Sequence, residues 1–211
     1  MLSAPLRLRR TAQTVLALSL LLTGCVSLFP KTKPVQLYRL SQTSPAPAGP
    51  SPAGFALTRA PISFPSDAAG DRILTVSGQE AAFIADARWL QPAAVMFEEA
   101  LVAAFDQPGS PRLVGPGENL AAGVTLRLEV RRFQTDYDKG QAGPPTVEIT
   151  VHALLIRNAD RSAAADTLIQ TRQTASDNRV AAIVVAYDSA VSQSVAAVRD
   201  WATANAGSVR P

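Results

Sequence analysis

Two stretches of the chain alternate apolar and polar residues with period two, and that pattern decides the class of fold. In Val124 to Phe133, the side chains of Val124, Leu126, Leu128 and Val130 fall on one face and those of Thr125, Arg127, Glu129 and Arg131 on the other. Thr146 to Arg157 repeats the pattern with Val147, Ile149, Val151 and Ala153 on the apolar side. Successive strand residues point to opposite faces, so each stretch reads as a strand buried on one side and wet on the other. One-sided burial suits an antiparallel sheet. Asp136 to Gly140 and Asn158 to Ala163 read as turns, and Asp166 to Thr174 as a third, more polar strand nearer an edge. Three strands joined in this way form a meander.

A sheet with one apolar face needs a covering layer. After Pro92, which suits the start of a helix, Phe97, Leu101 and Phe105 recur every four residues with Ala94 on the same side, and Pro108-Gly109 stops the pattern near Gln107. A second, longer helix follows Ser176 or Asp177 as cap, with Val180, Val184, Tyr187, Val191, Val195, Val198 and Ala202 along one face. Valine is a poor helix former, so this helix depends on packing against the sheet. Shorter strands are predicted over Val35 to Leu40, Phe55 to Arg59, Ile73 to Val76 and Gln79 to Ala85, the last two joined by a turn at Ser77-Gly78. The expected fold is α+β: an antiparallel sheet with a β-meander, one shorter central helix, and one long C-terminal helix packed on the sheet. Residues 34–206 form the domain and 207–211 a tail. Within the domain, residues 41–54 are rich in Ser, Pro, Ala and Gly and cannot build a core. They are a tether or a long surface loop, and a loop if the first strand docks.

The N-terminus carries a different kind of information. Arg7, Arg9 and Arg10 precede a mostly apolar run from Val15 to Leu22. That run has the length of a signal-peptide core and is far shorter than the roughly 20 residues that span a bilayer. It ends in Leu22-Thr23-Gly24-Cys25, which resembles the lipobox of bacterial lipoproteins. The thiolate of Cys25 is the nucleophile able to take up a diacylglyceryl group, and the small Thr23 and Gly24 admit a signal peptidase. Residues 1–24 are therefore expected to be removed, residues 25–33 to form a tether, and Cys25 to anchor the mature chain to a membrane; the resemblance to bacterial lipoproteins implies a triacylated cysteine, and several acyl chains hold far better than one. No later apolar run is expected to span a membrane.

Charge and composition exclude several activities. Without Arg7, Arg9 and Arg10 the 20 basic residues fall to 17, equal to the 17 acidic ones. A mature chain of zero net charge gives no global case for nucleic acid or anionic headgroups as partners. With one Cys and one His there is no internal disulfide and no multi-cysteine zinc site. His152 shares the polar side of its strand with Glu148 and Thr150 but has no nucleophile in a recognisable motif, and reads as a sheet-face histidine. Asp136-x-Asp138-x-Gly140 misplaces the glycine of a calcium loop and has Val147 where the loop needs glutamate. Gly115-Pro116-Gly117 lacks the Lys and Ser/Thr of a phosphate loop. No catalytic, metal or cofactor site is expected. Within Arg88-Trp89-Leu90-Gln91-Pro92, Trp89 either packs beside the first helix or meets a partner, and Tyr38 is a second candidate contact.

Four features together resemble the auxiliary lipoproteins of ABC-type transport systems, which accompany mammalian-cell-entry type lipid transporters in Gram-negative bacteria. They are the lipobox at Leu22 to Cys25, the early strand Val35-Gln36-Leu37-Tyr38-Arg39-Leu40, the run from Arg72-Ile73-Leu74-Thr75-Val76 through Ala87-Arg88-Trp89-Leu90-Gln91-Pro92 into a helix, and the meander with its C-terminal helix at Ala186 to Val195. The resemblance implies a non-enzymatic accessory anchored on the periplasmic side of the outer membrane. Its implied partners are a mammalian-cell-entry type periplasmic protein with its ABC permease and ATPase. Val26 stands where an aspartate signals inner-membrane retention in enteric bacteria, which is compatible with outer-membrane sorting. The alternative is a lipoprotein that assists another outer-membrane machine, one handling lipopolysaccharide or β-barrels.

Overall fold

The computed structural model describes residues 34–41, 54–118, 120, 122–138, 140 and 142–207. Along them the chain forms β1 (Gln36–Tyr38), β2 (Ala56–Arg59), β3 (Arg72–Ser77), β4 (Glu80–Trp89), α1 (Ala93–Phe105), β5 (Arg112–Val114), β6 (Val124–Asp136), β7 (Thr146–Arg157), β8 (Ala163–Thr174) and α2 (Val180–Ala206). The lipobox Leu22 to Cys25, the tether at 25–33, most of the Pro/Ala/Ser-rich segment and residues 208–211 lie outside the described residues.

All eight strands join one sheet, and its strand directions overturn the antiparallel architecture expected above. β1 pairs β4 in parallel, β2 pairs both β5 and β6 in parallel, and β3 pairs β6 in parallel. Antiparallel pairing is confined to β3 with β4, β6 with β7, and β7 with β8. The sheet is mixed. Alternation reports that one face of a strand is buried; it carries no information on which way the neighbours run, and the inference from one to the other fails here.

β6 is long enough for two strands to share one of its edges. One edge of this strand pairs β7 from Val124↔Arg157 to Asp136↔Thr146. Its other edge is shared. β2 meets the N-terminal end at Thr58↔Thr125 and Arg59↔Leu126, and β3 meets the C-terminal end at Thr75↔Thr135 and Val76↔Asp136. Between them Ser63 forms a parallel bridge with Glu129, its carbonyl accepting the Val130 N–H at 2.9 Å. The sheet therefore forks at β6 into a β2–β5 arm and a β3–β4–β1 arm. A β-bulge falls between Val130 and Arg132. It turns Arg131 and Arg132 both outward and returns Phe133 to the core, where a regular strand would have buried Arg132.

β4 runs further than its apolar pattern suggested, through Asp86 to Trp89. Asp86 has φ +55°, a left-handed conformation that aspartate tolerates better than most residues. The register with β3 slips on this stretch, between Leu74↔Phe83 and Arg72↔Arg88. The β3–β4 hairpin turns at Gly78, where φ +61° favours glycine.

α2 packs on β7 and β8, and α1 packs on α2. α2 begins after Arg179, with no side-chain cap; the expected caps Ser176 and Asp177 lie too early, and Asp177 instead accepts the Arg179 N–H at 2.7 Å in the preceding turn. By length and composition α2 is apolar enough to cross a membrane, contrary to expectation, although Ile183, Tyr187, Val191, Val195, Val198 and Ala202 are buried in the fold. The core is threaded by a chain of rings. Trp89 meets Tyr187 edge-on at 5.1 Å, Tyr187 meets Phe133 at 5.0 Å, Phe133 meets Phe64 at 5.3 Å, and Phe64 meets Phe97 at 6.0 Å. Contacts of this kind contribute about 0.5–1.5 kcal/mol each beyond their buried area. Tyr187 is fully buried, which pushes its phenol above the ordinary value, and its oxygen accepts a hydrogen bond from Thr135 at 3.2 Å.

Candidate functional site

α1 and α2 bury one face each and leave a groove between them. On α1, Val95, Met96, Glu99, Val102, Ala103 and Asp106 fall at helical spacing along one wall; on α2, Asp188, Val191, Ser192, Val195, Ala196 and Arg199 do the same along the other. Leu40 and Ser41, leaving β1, contribute to the lining, and Ser41 donates its backbone N–H to Asp188 Oδ1 at 2.7 Å. The groove encloses about 840 Å³. Leu40, Met96, Val191 and Val195 are its buried apolar floor, while Leu90, Val95 and Val102 are exposed apolar residues on its rim. An apolar concavity with a few polar groups around it is the usual form of a binding site.

The ionisable groups of the lining are unevenly satisfied. Glu98 pairs with the buried Arg59 at 2.6 Å, and Arg199 pairs with Asp200 at 2.7 Å. Among the described residues, Glu99, Asp106 and Arg39 have no ion-pair partner, and Asp188 has only the Ser41 N–H. Asp106 is the C-cap of α1, whose last turn holds no basic residue. A carboxylate there adds to the negative end of the helix dipole.

A second polar constellation lies on the face of the sheet turned away from the helices. Thr171 on β8 accepts a hydrogen bond from Ser194 of α2, so the adjacent Arg172 points the opposite way. There Glu148, 1 % exposed, is held by Arg132 at 2.7 Å, Arg172 at 2.6 Å and Gln170 at 3.0 Å. Arg172 also reaches Asp138 at 2.6 Å. Burial pushes the Glu148 carboxyl up, but the hydrogen bonds from Arg132 and Gln170 and the two guanidinium charges outweigh it and set the group below its ordinary value. Neighbouring Asp136 is raised, by burial and by the Glu148 charge, against a hydrogen bond from Gln134. This network ties three strands together with its acceptors filled, and its chemistry is that of a lock rather than of a reacting site. His152 lies between Glu129 at 3.6 Å and Asp166 at 3.5 Å on the same face.

The candidate contacts read from sequence are placed apart from the groove or beneath the surface. Trp89 is 2 % exposed and its ring packs on Tyr187, so of the two alternatives read from the sequence it takes the packed one. Tyr38 is half-buried at the end of β1, with its hydroxyl donating to Gln36 at 2.6 Å. Cys25 and its lipobox fall outside the described residues. Sequence reasoning missed the groove because it followed only the face of α1 that carries Phe97, Leu101 and Phe105. Val95 and Val102, seven residues apart on another face of the helix, were the available signal.

No curated protein matches the sequence. The fold is shared with a crystal structure of a protein from Xanthomonas campestris, XCC0632, at 24 % identity and a TM-score of 0.71, covering 82 % of this chain and 98 % of that one. A second solved structure, of an uncharacterized protein, matches at 16 % identity and a TM-score of 0.59, covering 80 % of this chain and 99 % of that one. The sequence profile of the ABC-type transport auxiliary lipoprotein component matches residues 38–198, which takes in every element from the end of β1 through most of α2. The chain belongs to the family of ABC-type transport auxiliary lipoprotein components.

Proposed function

We propose that this protein is a non-enzymatic docking accessory of an ABC-type transport system of the mammalian-cell-entry type, moving lipid or another apolar solute across the envelope. It acts from the periplasmic face of the outer membrane, held there by lipid on Cys25. The observation that carries the reading is the family match over residues 38–198, joined to a domain whose open apolar feature is the groove between α1 and α2. Supporting it are the Leu22-Thr23-Gly24-Cys25 lipobox and Val26 after it. Fully extended, residues 25–33 reach at most about 30 Å, so the domain works close to the membrane surface. It has no need of ATPase chemistry, which belongs to a separate chain of the transporter.

The test is affinity purification of the full-length lipoprotein from detergent-solubilised envelopes, with identification of what comes with it. Recovery of a mammalian-cell-entry type protein with its permease or ATPase is the expected result. Recovery of a lipopolysaccharide-handling or barrel-assembly component in its place overturns the reading. Cys25→Ser is expected to abolish lipid labelling and to release the chain from the membrane fraction.

A further inference from the structure

We propose that the groove between α1 and α2 is the seat of a basic amphipathic helix supplied by a partner protein. The inference deepens the docking reading above and rests on it. The walls select the shape of the occupant. Both are helices, whose interior backbone groups are bonded within themselves, so the two walls present side chains, and backbone is offered only at the ends of the groove, by Leu40, Ser41, Leu90 and Gln91 and by the last turn of α1. An extended segment laid into it would bury peptide groups with nothing to pair with, whereas a helix arrives with its backbone satisfied and an apolar stripe to bury. Ala103, Ser192 and Ala196 are small enough to let another helix come close. Val95 and Val102 stand two turns apart, about 10 Å, on a helix about 20 Å long. An occupant of about three turns, with apolar residues at i, i+3 or i+4, and i+7, fits that span.

Charge selects its sign. With Glu98 and Arg199 occupied by their own partners, the rim presents Glu99, Asp106 and Asp188 against Arg39. Asp106 sits at the negative end of α1 with no basic residue in the last turn, and a lysine or arginine from the occupant would be attracted to both the carboxylate and the helix end. The same rim repels the phosphate of a phospholipid, which makes a basic helix the fitting occupant and a lipid headgroup a poor one.

The test places a photo-crosslinking residue at the exposed Val102 of the full-length lipoprotein in its own cells, followed by sequencing of the crosslinked peptide. The expected peptide carries apolar residues at helical spacing and a net positive charge. Its yield is expected to fall at least tenfold in the Glu99→Lys, Asp106→Lys double variant and in Ala103→Trp, which fills the groove. Glu99 and Asp106 are both exposed, so the charge reversal keeps the fold even if the tryptophan does not, and a thermal melt of each variant shows this. An acidic or non-helical peptide, a peptide from a second copy of this chain, a crosslink to phospholipid alone, no crosslink, or an unchanged yield in the charge-reversed variant overturns the proposal. Transport proteins that still co-purify with the charge-reversed variant at wild-type levels overturn the groove and leave the docking function standing. If wild-type protein brings down no transport protein, the docking function falls, and the chemistry of the crosslinked peptide alone judges the groove.

Discussion

Replacing Trp89 by alanine separates a core role from a contact role. The ring is 2 % exposed and its edge meets the fully buried Tyr187 at 5.1 Å. Truncation of a buried tryptophan removes its transfer energy and leaves a cavity that the surroundings fill only in part, a loss of about 3–5 kcal/mol. The edge-to-face contact with Tyr187 is part of that figure and accounts for about 1 kcal/mol of it. A domain of this size unfolds in urea with a slope of about 2 kcal/mol per molar, so the midpoint is expected to fall by about 1.5–2.5 M. The assay is urea denaturation of the full-length chain in detergent, followed by circular dichroism and by the emission of Trp201, the one tryptophan left in the variant. Trp89→Phe, which keeps a ring in the site, is expected to lose less than half as much. A midpoint shift in Trp89→Ala equivalent to less than about 1 kcal/mol would refute the reasoning, because a surface ring can be removed at that cost and a core ring cannot.

Three further outcomes follow from other parts of the molecule. Glu148→Gln removes the charge that Arg132 and Arg172 share; as these partners are 55 % and 44 % exposed and stay solvated, the expected loss is about 1–3 kcal/mol by urea titration at neutral pH. Because the folded-state value of Glu148 lies below its ordinary 4.5, its contribution is present in full above that range and is lost as pH falls through the folded value. Glu148→Gln is therefore expected to flatten the acid limb of the stability profile, and an unchanged limb counts against the network. Asp106→Lys replaces a carboxylate at the C-cap of α1 with a cation and is expected to raise stability by about 0.3–1 kcal/mol, a melting point higher by about 1–4 °C; a lower melting point contradicts the dipole argument. Asp188→Ala takes away the acceptor of the Ser41 N–H and is expected to speed hydrogen exchange at Ser41 and at Leu90, whose N–H bonds Tyr38, while amides at the β6–β7 ladder keep their rates.

How far the fold could be read from the residues differs from place to place for physical reasons. The long strands and both helices were legible because their periodicities extend over many residues. Strand direction was not, since Thr58 and Thr75 reach the free edge of β6 through connections that leave no period in the sequence. The bulge was legible in principle: the inward residues Val130 and Phe133 are three apart where a regular strand requires two. β4 was cut short at Ala85 because Asp86 breaks the apolar pattern at the point where its φ turns positive. β5, three residues long, is held by its pairing with β2 and has no pattern of its own. At the candidate site, Glu148 was read on the wet side of its strand; its burial depends on arginines sixteen residues before and twenty-four after it. The groove needed the relative placement of two helices that are 75 or more residues apart in sequence.

β1 is the first element of the described residues, and the residues that leave it line the groove. Three registered residues join it to β4, and the Ser41–Asp188 hydrogen bond clips its end to α2. On the anchoring proposed above, tension on the lipid enters the folded protein through an edge strand of three residues, and the residues next in line, Arg39 and the floor residue Leu40, belong to the groove and precede the clip at Ser41. On that proposal the anchor and the groove are mechanically in series, with three residue pairs and one hydrogen bond between a pull at the bilayer and a change in the shape of the groove.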